Sequence, residues 1–132
     1  MADDAPQELQ QAINGLLYSS ESDLPFEGVH WARQEPTLTD TDLRSLVGKS
    51  PDAHVEEVGL DEFFHDLIQD QEWHDAEDKM TVERYRNLLA VLKKKLKDPK
   101  VFKIGEVKID IFIVGRTTDG EWAGIKTQAV ET

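Results

Sequence analysis

The sequence predicts a mixed fold of the α/β (α+β) class, with helices in the first two-thirds of the chain and strands in the last third. Apolar residues recur at helical spacing in several early segments, whereas residues 106–114 begin with strict apolar–polar alternation. The chain has 132 residues, a length at which one domain buries about two-thirds of its unfolded surface. We therefore expect a single domain over residues 1–132.

Amphipathic helices are predicted at residues 6–17, 39–47 and 60–68, and from Asp75 or Asp78 to Leu96. Thr39 or Asp40 is the expected cap of the second helix, and Gly48 closes it. Pro99 is expected to stop the fourth helix. Acidic side chains at the start of this fourth helix and lysines at its end both suit the helix dipole.

Strands are predicted at residues 29–33, 55–58, 101–104, 106–114 and 122–130. Trp31 is the expected buried anchor of the first, and Val107 shares one face of the fourth with three isoleucines. Asp119 and Gly120 predict a hairpin turn between the last two. Because the strand pattern runs almost to the last residue, we expect the carboxylate of Thr132 to be held near an end of the sheet.

The chain is acidic, with 27 Asp and Glu against 15 Lys and Arg and a formal net charge of −12. Residues 1–80 are strongly acidic, whereas residues 81–132 carry a small excess of basic side chains. A surface this negative repels phosphate backbones, which argues against a nucleic-acid binder and favours a basic partner. We interpret the lysines of residues 93–103 as a solvated face that matches the helix dipole. Solubility alone would explain the charge equally well.

Composition excludes several other classes of protein. The chain has no cysteine, so disulfides, thiolate metal sites and thiol nucleophiles are ruled out. Its acidic N-terminus is unlike a signal peptide, and no apolar run approaches the ~20 residues that a membrane span needs. We expect a soluble, cytoplasmic protein that does not associate with membranes.

The sequence contains no recognisable catalytic motif. None of its four histidines has the spacing of two ligands on one helix face. His65 with Asp61 and Asp66 could bind zinc, and a metal-dependent hydrolase using His65 and His74 is one alternative. Solvated helix ends explain these residues better. We therefore expect a non-enzymatic protein with no cofactor and no metal site of its own.

Three features stand out against this background. Glu21 lies in a charged loop before a proline, Trp73 lies in an acidic linker, and Thr132 ends a strand. Tryptophan is enriched in binding hot spots, although Trp73 could equally pack into the core at a helix entry. Glu21 could be an ordinary solvated acid, and Thr132 an ordinary terminus.

Four stretches carry a resemblance to a known family: Gly-Leu-Leu-Tyr-Ser-Ser-Glu-Ser-Asp-Leu-Pro-Phe at residues 15–26, Asp-Glu-Phe-Phe at 61–64, Gly-Glu-Val-Lys-Ile-Asp-Ile-Phe-Ile-Val-Gly at 105–115, and residues 123–132. Trp73, before an acidic helix start, also matches. The chain resembles the nuclease A inhibitor family, small acidic bacterial proteins that block a sugar-non-specific, magnesium-dependent nuclease. The resemblance covers nearly the whole chain.

This resemblance implies a three-layer α/β/α sandwich with a mixed, mainly antiparallel sheet whose C-terminal strand reaches the chain end. It also implies that Glu21, Trp73 and Thr132 enter the nuclease active site. There Glu21 would pair with an arginine, and Thr132 would approach the nuclease-bound magnesium. Asp75 and Glu131 are further candidates for partner binding. We expect a monomer when the partner is absent, and an acidic adaptor for another basic protein is the alternative function.

Overall fold

Helices and strands alternate in the first half of the chain, and long strands dominate the second. The computed structural model describes residues 5–19, 23–31, 39–49, 52–65, 67–69, 75–118 and 120–130. Its helices are α1 (Ala5–Ile13), α2 (Asp40–Leu46), α3 (Leu60–Phe64) and α4 (Ala76–Lys95). Its strands are β1 (Leu17–Ser19), β2 (Asp23–Pro25), β3 (Glu27–Trp31), β4 (Val55–Val58), β5 (Lys97–Ile104), β6 (Lys108–Arg116) and β7 (Trp122–Val130). The predicted mixed α+β class is confirmed.

The strands form two sheets. The larger has the order β3-β7-β6-β5-β4, and β1 and β2 form a separate two-stranded hairpin. Every pairing between described strands is antiparallel, so the parallel pair of a mixed sheet is not found among them. The large sheet has two ends that matter below. At the Trp122 end, Trp122 pairs with Trp31 and Arg116; at the Val130 end, Val130 pairs with Lys108.

Buried side chains form one cluster on each face of the large sheet. On one face, residues of α1, α3 and α4 pack against inward-facing residues of the central strands, including Ile111, Ile113 and Ile125. On the other, Leu43 of α2 packs with five strand residues: Phe102, Ile104, Phe112, Val114 and Trp122. The β6 residues of the two clusters alternate, as expected for a strand covered on both faces. The three-layer architecture itself remains an expectation from the resemblance.

Several predicted boundaries agree with the structure. Thr39 caps α2 in a capping box with Asp42, and Asp75 caps α4. The strand predicted at residues 55–58 is β4. The predicted hairpin between β6 and β7 is closed by a hydrogen bond from Thr117 N to Glu121 O, 2.8 Å long.

Two helices end earlier than predicted. The first stops at Ile13, since Gly15 adopts a positive φ of 76° and Leu17 already belongs to β1. Leu17 therefore lies on a strand, 45% exposed, instead of on a helical core stripe. The third helix ends at Phe64, although Leu67 and Ile68 still pack against the core from the following turn.

Two of the predicted strands have different bounds in the structure. Val107 precedes β6 and is 53% exposed, so it does not share the buried face of that strand. The strand predicted at 101–104 starts earlier, at Lys97, and α4 ends before Pro99 is reached. A register shift between Lys97 and Lys100 allows the proline to lie within the strand.

Trp31 is half-buried instead of fully buried, with its ring centroid 6.2 Å from that of Phe112. The strand that carries it covers residues 27–31, so the predicted strand at 29–33 begins two residues too late. Among the described helices, none has both the length and the apolar composition needed to cross a membrane.

Candidate functional site

Most of the predicted site lies outside the described residues. Glu21, Trp73, Glu131 and Thr132 all do, whereas Asp75 is described. The structure does describe the elements to which these residues are attached. Glu21 connects β1 to β2, Trp73 precedes α4, and the last two residues follow β7.

The β1–β2 hairpin is bonded to the framework on both of its strands. The hydroxyl of Tyr85 in α4 donates to the carbonyl of Leu17 in β1 at 2.6 Å. The hydroxyl of Thr127 in β7 donates to the carbonyl of Pro25 in β2 at 3.0 Å. Leu17 and Pro25 are themselves partners in the hairpin register. The strands that carry residues 20–22 are therefore linked to both α4 and β7.

Aromatic packing supports the same hairpin. The ring of Tyr18 stacks on Phe63 with centroids 5.7 Å apart, and it meets Phe26 edge-on at 6.1 Å. Phe26 in turn contacts Tyr85 edge-on at 6.3 Å. Edge-to-face and offset aromatic pairs add stabilisation beyond the area they bury. The hairpin is thus attached by side-chain packing as well as by hydrogen bonds.

A guanidinium holds the chain where it enters this hairpin. Nη2 of Arg84 donates to the carbonyls of Ala12 at 3.1 Å and Asn14 at 2.6 Å. The carbonyls at the end of a helix have no partner within the helix, so a cation there satisfies them and matches the helix dipole. Arg84 therefore fixes the exit from α1 beside the contact of Tyr85 with Leu17.

The start of α4 is capped by Asp75. Its Oδ1 accepts from the backbone N–H of Asp78 at 2.8 Å, and Oδ2 of Asp78 accepts from the N–H of Asp75 at 3.3 Å. These reciprocal bonds satisfy donors that a helix start leaves free. Asp75 thus has a structural role in addition to the partner-binding role predicted for it.

The first turn of α4 presents concentrated negative charge. Asp75, Glu77 and Asp78 are all exposed. Within the described residues, no ion pair joins any of these three carboxylates to a cation. Their charge is therefore directed to solvent, or to a partner that approaches this turn.

The described ends of the three elements point toward the Val130 end of the sheet. The C-terminal end of α4 lies at the opposite end of the sheet, the Trp122 end. There Leu96 packs so closely against Gly115 that a Cβ added to this glycine would lie 2.9 Å from Cβ of Leu96. Tyr85 lies about 16 Å before Leu96 along the helix. Its hydroxyl is bonded to one strand of the β1–β2 hairpin, and the other strand of this hairpin is bonded to Thr127 of β7. The helix therefore runs back from the Trp122 end toward the Val130 end of the sheet, and its acidic first turn lies farthest in that direction.

A groove lies on the α2 face, and its described lining residues include no isolated charge. Its cavity volume is about 530 Å³, and its lining includes Trp31 and Phe112. Its charged lining residues pair with each other: Lys49 contacts Asp110, and Nζ of Lys126 lies 3.5 Å from Oε2 of Glu27. The other oxygen of Asp110 accepts from Gln128 at 2.8 Å. These side chains are engaged in holding the sheet and α2 together.

Two of the residues considered for a metal site, Asp61 and His65, have other partners. Asp61 accepts from Nζ of Lys93 at 2.6 Å, and His65 contacts the amide of Gln69 at 3.0 Å. Asp66 and His74 lie outside the described residues. In the described part of the chain, no three His, Cys, Asp or Glu side chains gather as metal ligands would.

The supports of the candidate site could not be recognised from sequence. In the sequence, Tyr85 is one of several residues in the apolar stripe of α4, and Thr127 has no feature that distinguishes it from other strand residues. A tyrosine in an apolar stripe indicates that its buried hydroxyl needs an acceptor. It does not indicate which residue supplies that acceptor, because the acceptor is distant in sequence.

Comparison with protein families gives one match. The model of the family described as nuclease A inhibitor-like protein matches residues 3–132, nearly the whole chain. The comparison with curated proteins gives no match.

Proposed function

We propose that this chain, which belongs to the nuclease A inhibitor-like family, is a non-catalytic protein that inhibits a magnesium-dependent, sugar-non-specific nuclease by occupying its active site. The observation that carries the proposal is the family match over residues 3–132. The site would consist of Glu21, Trp73 and Thr132, with Asp75 and Glu131 beside them.

The arrangement of the described elements supports this site. The hairpin that carries Glu21, the acidic start of α4 and the end of β7 are directed toward one end of the sheet. Hydrogen bonds hold the hairpin to the other two elements. A hairpin held in this way loses little conformational entropy when a partner binds, which favours affinity.

The chemistry of the nuclease active site explains why carboxylates would bind there. A nuclease of this kind stabilises a phosphodiester with arginine and a divalent metal, so its cleft is positive. Glu21 would form a charge-assisted contact with such an arginine. The carboxylate and hydroxyl of Thr132 would offer the oxygen ligands that magnesium prefers, directly or through water. Trp73 would add apolar contact area.

The charge of the chain supports fast association. The exposed acids of the first turn of α4 lie toward the Val130 end. A negative surface that meets a positive cleft raises the association rate and fixes the orientation of the encounter. Asp75 would act in this way while it caps the helix.

An acidic adaptor for another basic protein is the second candidate, because the net charge of −12 suits any basic partner. The two functions differ in where the partner is contacted. Only an inhibitor that occupies the active site competes with the nucleic-acid substrate.

Titration into a magnesium-dependent, sugar-non-specific nuclease tests the proposal. DNA hydrolysis would be followed at fixed enzyme concentration as the protein is added, at two substrate concentrations. We expect stoichiometric loss of activity that extra DNA relieves. Binding to the nuclease without loss of hydrolysis would support the adaptor, and no binding would contradict both functions for that nuclease.

A matched pair of variants relates the inhibition to the site. Glu21→Gln removes one negative charge from the proposed plug, whereas Glu56→Gln removes one from exposed β4, at the far edge of the sheet. We expect weaker inhibition from the first variant and unchanged inhibition from the second. Equal effects would mean that only net charge matters.

A further inference from the structure

A second cavity lies at the Trp122 end of the sheet, opposite to the proposed nuclease-binding end. Its volume is about 350 Å³. It is lined by two short segments and one turn: Lys94, Lys95, Leu96 and Lys97, then Arg116, Thr117, Thr118 and Gly120. Among the described residues, the lining thus contains four cationic side chains and no acidic one, in a protein whose net charge is −12.

Two of these cations face each other across a strand pair. Lys97 of β5 and Arg116 of β6 are register partners. Like charges directly opposite each other in an antiparallel pair destabilise it. The positive charge of Lys95 is partly compensated, since its Nζ lies 3.4 Å from Oε2 of Glu8. For Lys97 and Arg116, no carboxylate of the described residues forms an ion pair that would offset the repulsion.

Two residues that line this cavity each have a buried polar atom that lacks a hydrogen-bond partner. The two atoms are Nε of Arg116 and Oγ1 of Thr117, and they are the only such side-chain atoms among the described residues. A buried donor without a partner costs about 1–3 kcal/mol, so proteins rarely leave one unsatisfied. Arg116 is held in place by a bond from Nη2 to the carbonyl of Gly120 at 3.2 Å. Both orphan atoms can donate to an acceptor.

We propose that this cavity binds a phosphate group, as inorganic phosphate or as a small phosphate monoester. A phosphate oxygen is the acceptor that Nε of Arg116 and Oγ1 of Thr117 both lack. A dianion between Lys97 and Arg116 would also replace their mutual repulsion by two attractions.

Calorimetric titration of the 132-residue chain with inorganic phosphate and with glycerol phosphate, at constant ionic strength, tests this proposal. We expect saturable binding of either probe. The double variant Lys94→Gln/Lys97→Gln should weaken binding at least about tenfold, because charge-assisted hydrogen bonds are lost. Lys100→Gln/Lys108→Gln removes the same charge from exposed positions outside the cavity and should leave binding unchanged. Thermal melting confirms that all variants are folded.

Three results would overturn the proposal. The first is no binding of either probe by the wild-type protein. The second is equal weakening in both double variants, which indicates non-specific attraction. The third is phosphate binding that appears only in Asp119→Asn, since the cavity would then be occupied by a carboxylate of the chain itself.

Discussion

The hydroxyl of Tyr85 donates to the backbone carbonyl of Leu17 at 2.6 Å, and this bond joins the middle of α4 to the first strand of the β1–β2 hairpin. Tyr85 is 4% exposed, and its ring packs edge-on against Phe26 and Phe64. The hairpin carries the loop in which Glu21 occurs, so the position of this proposed contact depends on a residue 64 positions later in the chain.

Tyr85→Phe should therefore affect both stability and inhibition. The ring contacts remain, but the Leu17 carbonyl loses a donor, and we expect the free energy of unfolding to fall by about 1–2 kcal/mol. Urea unfolding measures this loss. The variant should also dissociate faster from the nuclease, because the hairpin is less well held. Unchanged stability would show that the bond contributes nothing to the folded state.

Asp75 allows its capping role and its charge to be separated. Asp75→Ala removes both and should lower the free energy of unfolding by about 1 kcal/mol, whereas Asp75→Ser keeps a capping oxygen and should cost little. The control is Glu77→Ala, which removes an exposed charge from the same turn without removing the cap. If Asp75 contributes charge to the encounter, Asp75→Ser should slow association with the nuclease. Equal stability of Asp75→Ala and Asp75→Ser in urea would contradict the capping role.

Gly124 is required by close strand pairing. A Cβ at this position would lie 1.9 Å from the carbonyl oxygen of Ile113 in the neighbouring strand. Gly124→Ala should therefore lower the free energy of unfolding by about 3 kcal/mol or more, or prevent folding. Gly59→Ala is the control, because a Cβ there has only ordinary contacts, the closest at 3.8 Å. Circular dichroism during thermal melting compares the two, and similar melting temperatures would be inconsistent with this packing.

Thr117→Val tests the unpaired hydroxyl at the other end of the sheet. Thr117 is 6% exposed, and its Oγ1 has no hydrogen-bond partner. Valine has nearly the same shape, so in phosphate-free buffer the variant should be more stable by about 1 kcal/mol. In saturating phosphate this advantage should shrink or reverse. A loss of stability in both buffers would show that the hydroxyl has a partner in the free protein.

Association with the nuclease should depend on salt. Steering between an acidic protein and a positive cleft should weaken as the Debye length falls from about 10 Å at 0.1 M to about 3 Å at 1 M. Stopped-flow measurements should therefore give an association rate that falls roughly tenfold or more over this range. A flat salt dependence would mean that the net charge of −12 does not steer the encounter.

The parts of the fold that follow local rules could be predicted from the sequence. The capping boxes that begin with Thr39 and Asp75, the long helix, and the hairpin at Gly120 all depend on a few neighbouring residues. The β1–β2 hairpin was missed because Leu17 continues a helical pattern, and only Gly15, with its positive φ, ends that helix. Helical periodicity does not show where a chain turns back.

Long-range contacts explain the remaining differences. Val107 continues the alternation of β6, but the turn at Gly105 places it outside the strand. Lys94 and Lys97 are exposed, as expected for a solvated face. That Lys97 lies opposite Arg116 could not be predicted, because only the strand register shows it. An alternating pattern predicts which side chains share one face of a strand, but it does not predict which strand lies beside it. The resemblance, and not periodicity, supplied the proposed roles of Glu21, Trp73 and Thr132.

Removal of Thr132 tests the central claim most directly. The inhibition constant of the chain that ends at residue 131 would be compared with that of the full chain, with thermal melting as the check on folding. The account predicts an unchanged melting temperature and a loss of about 2–5 kcal/mol of binding free energy, roughly 30-fold to several thousand-fold in affinity. Equal inhibition by the two proteins would contradict the proposed insertion of the C-terminus into the active site.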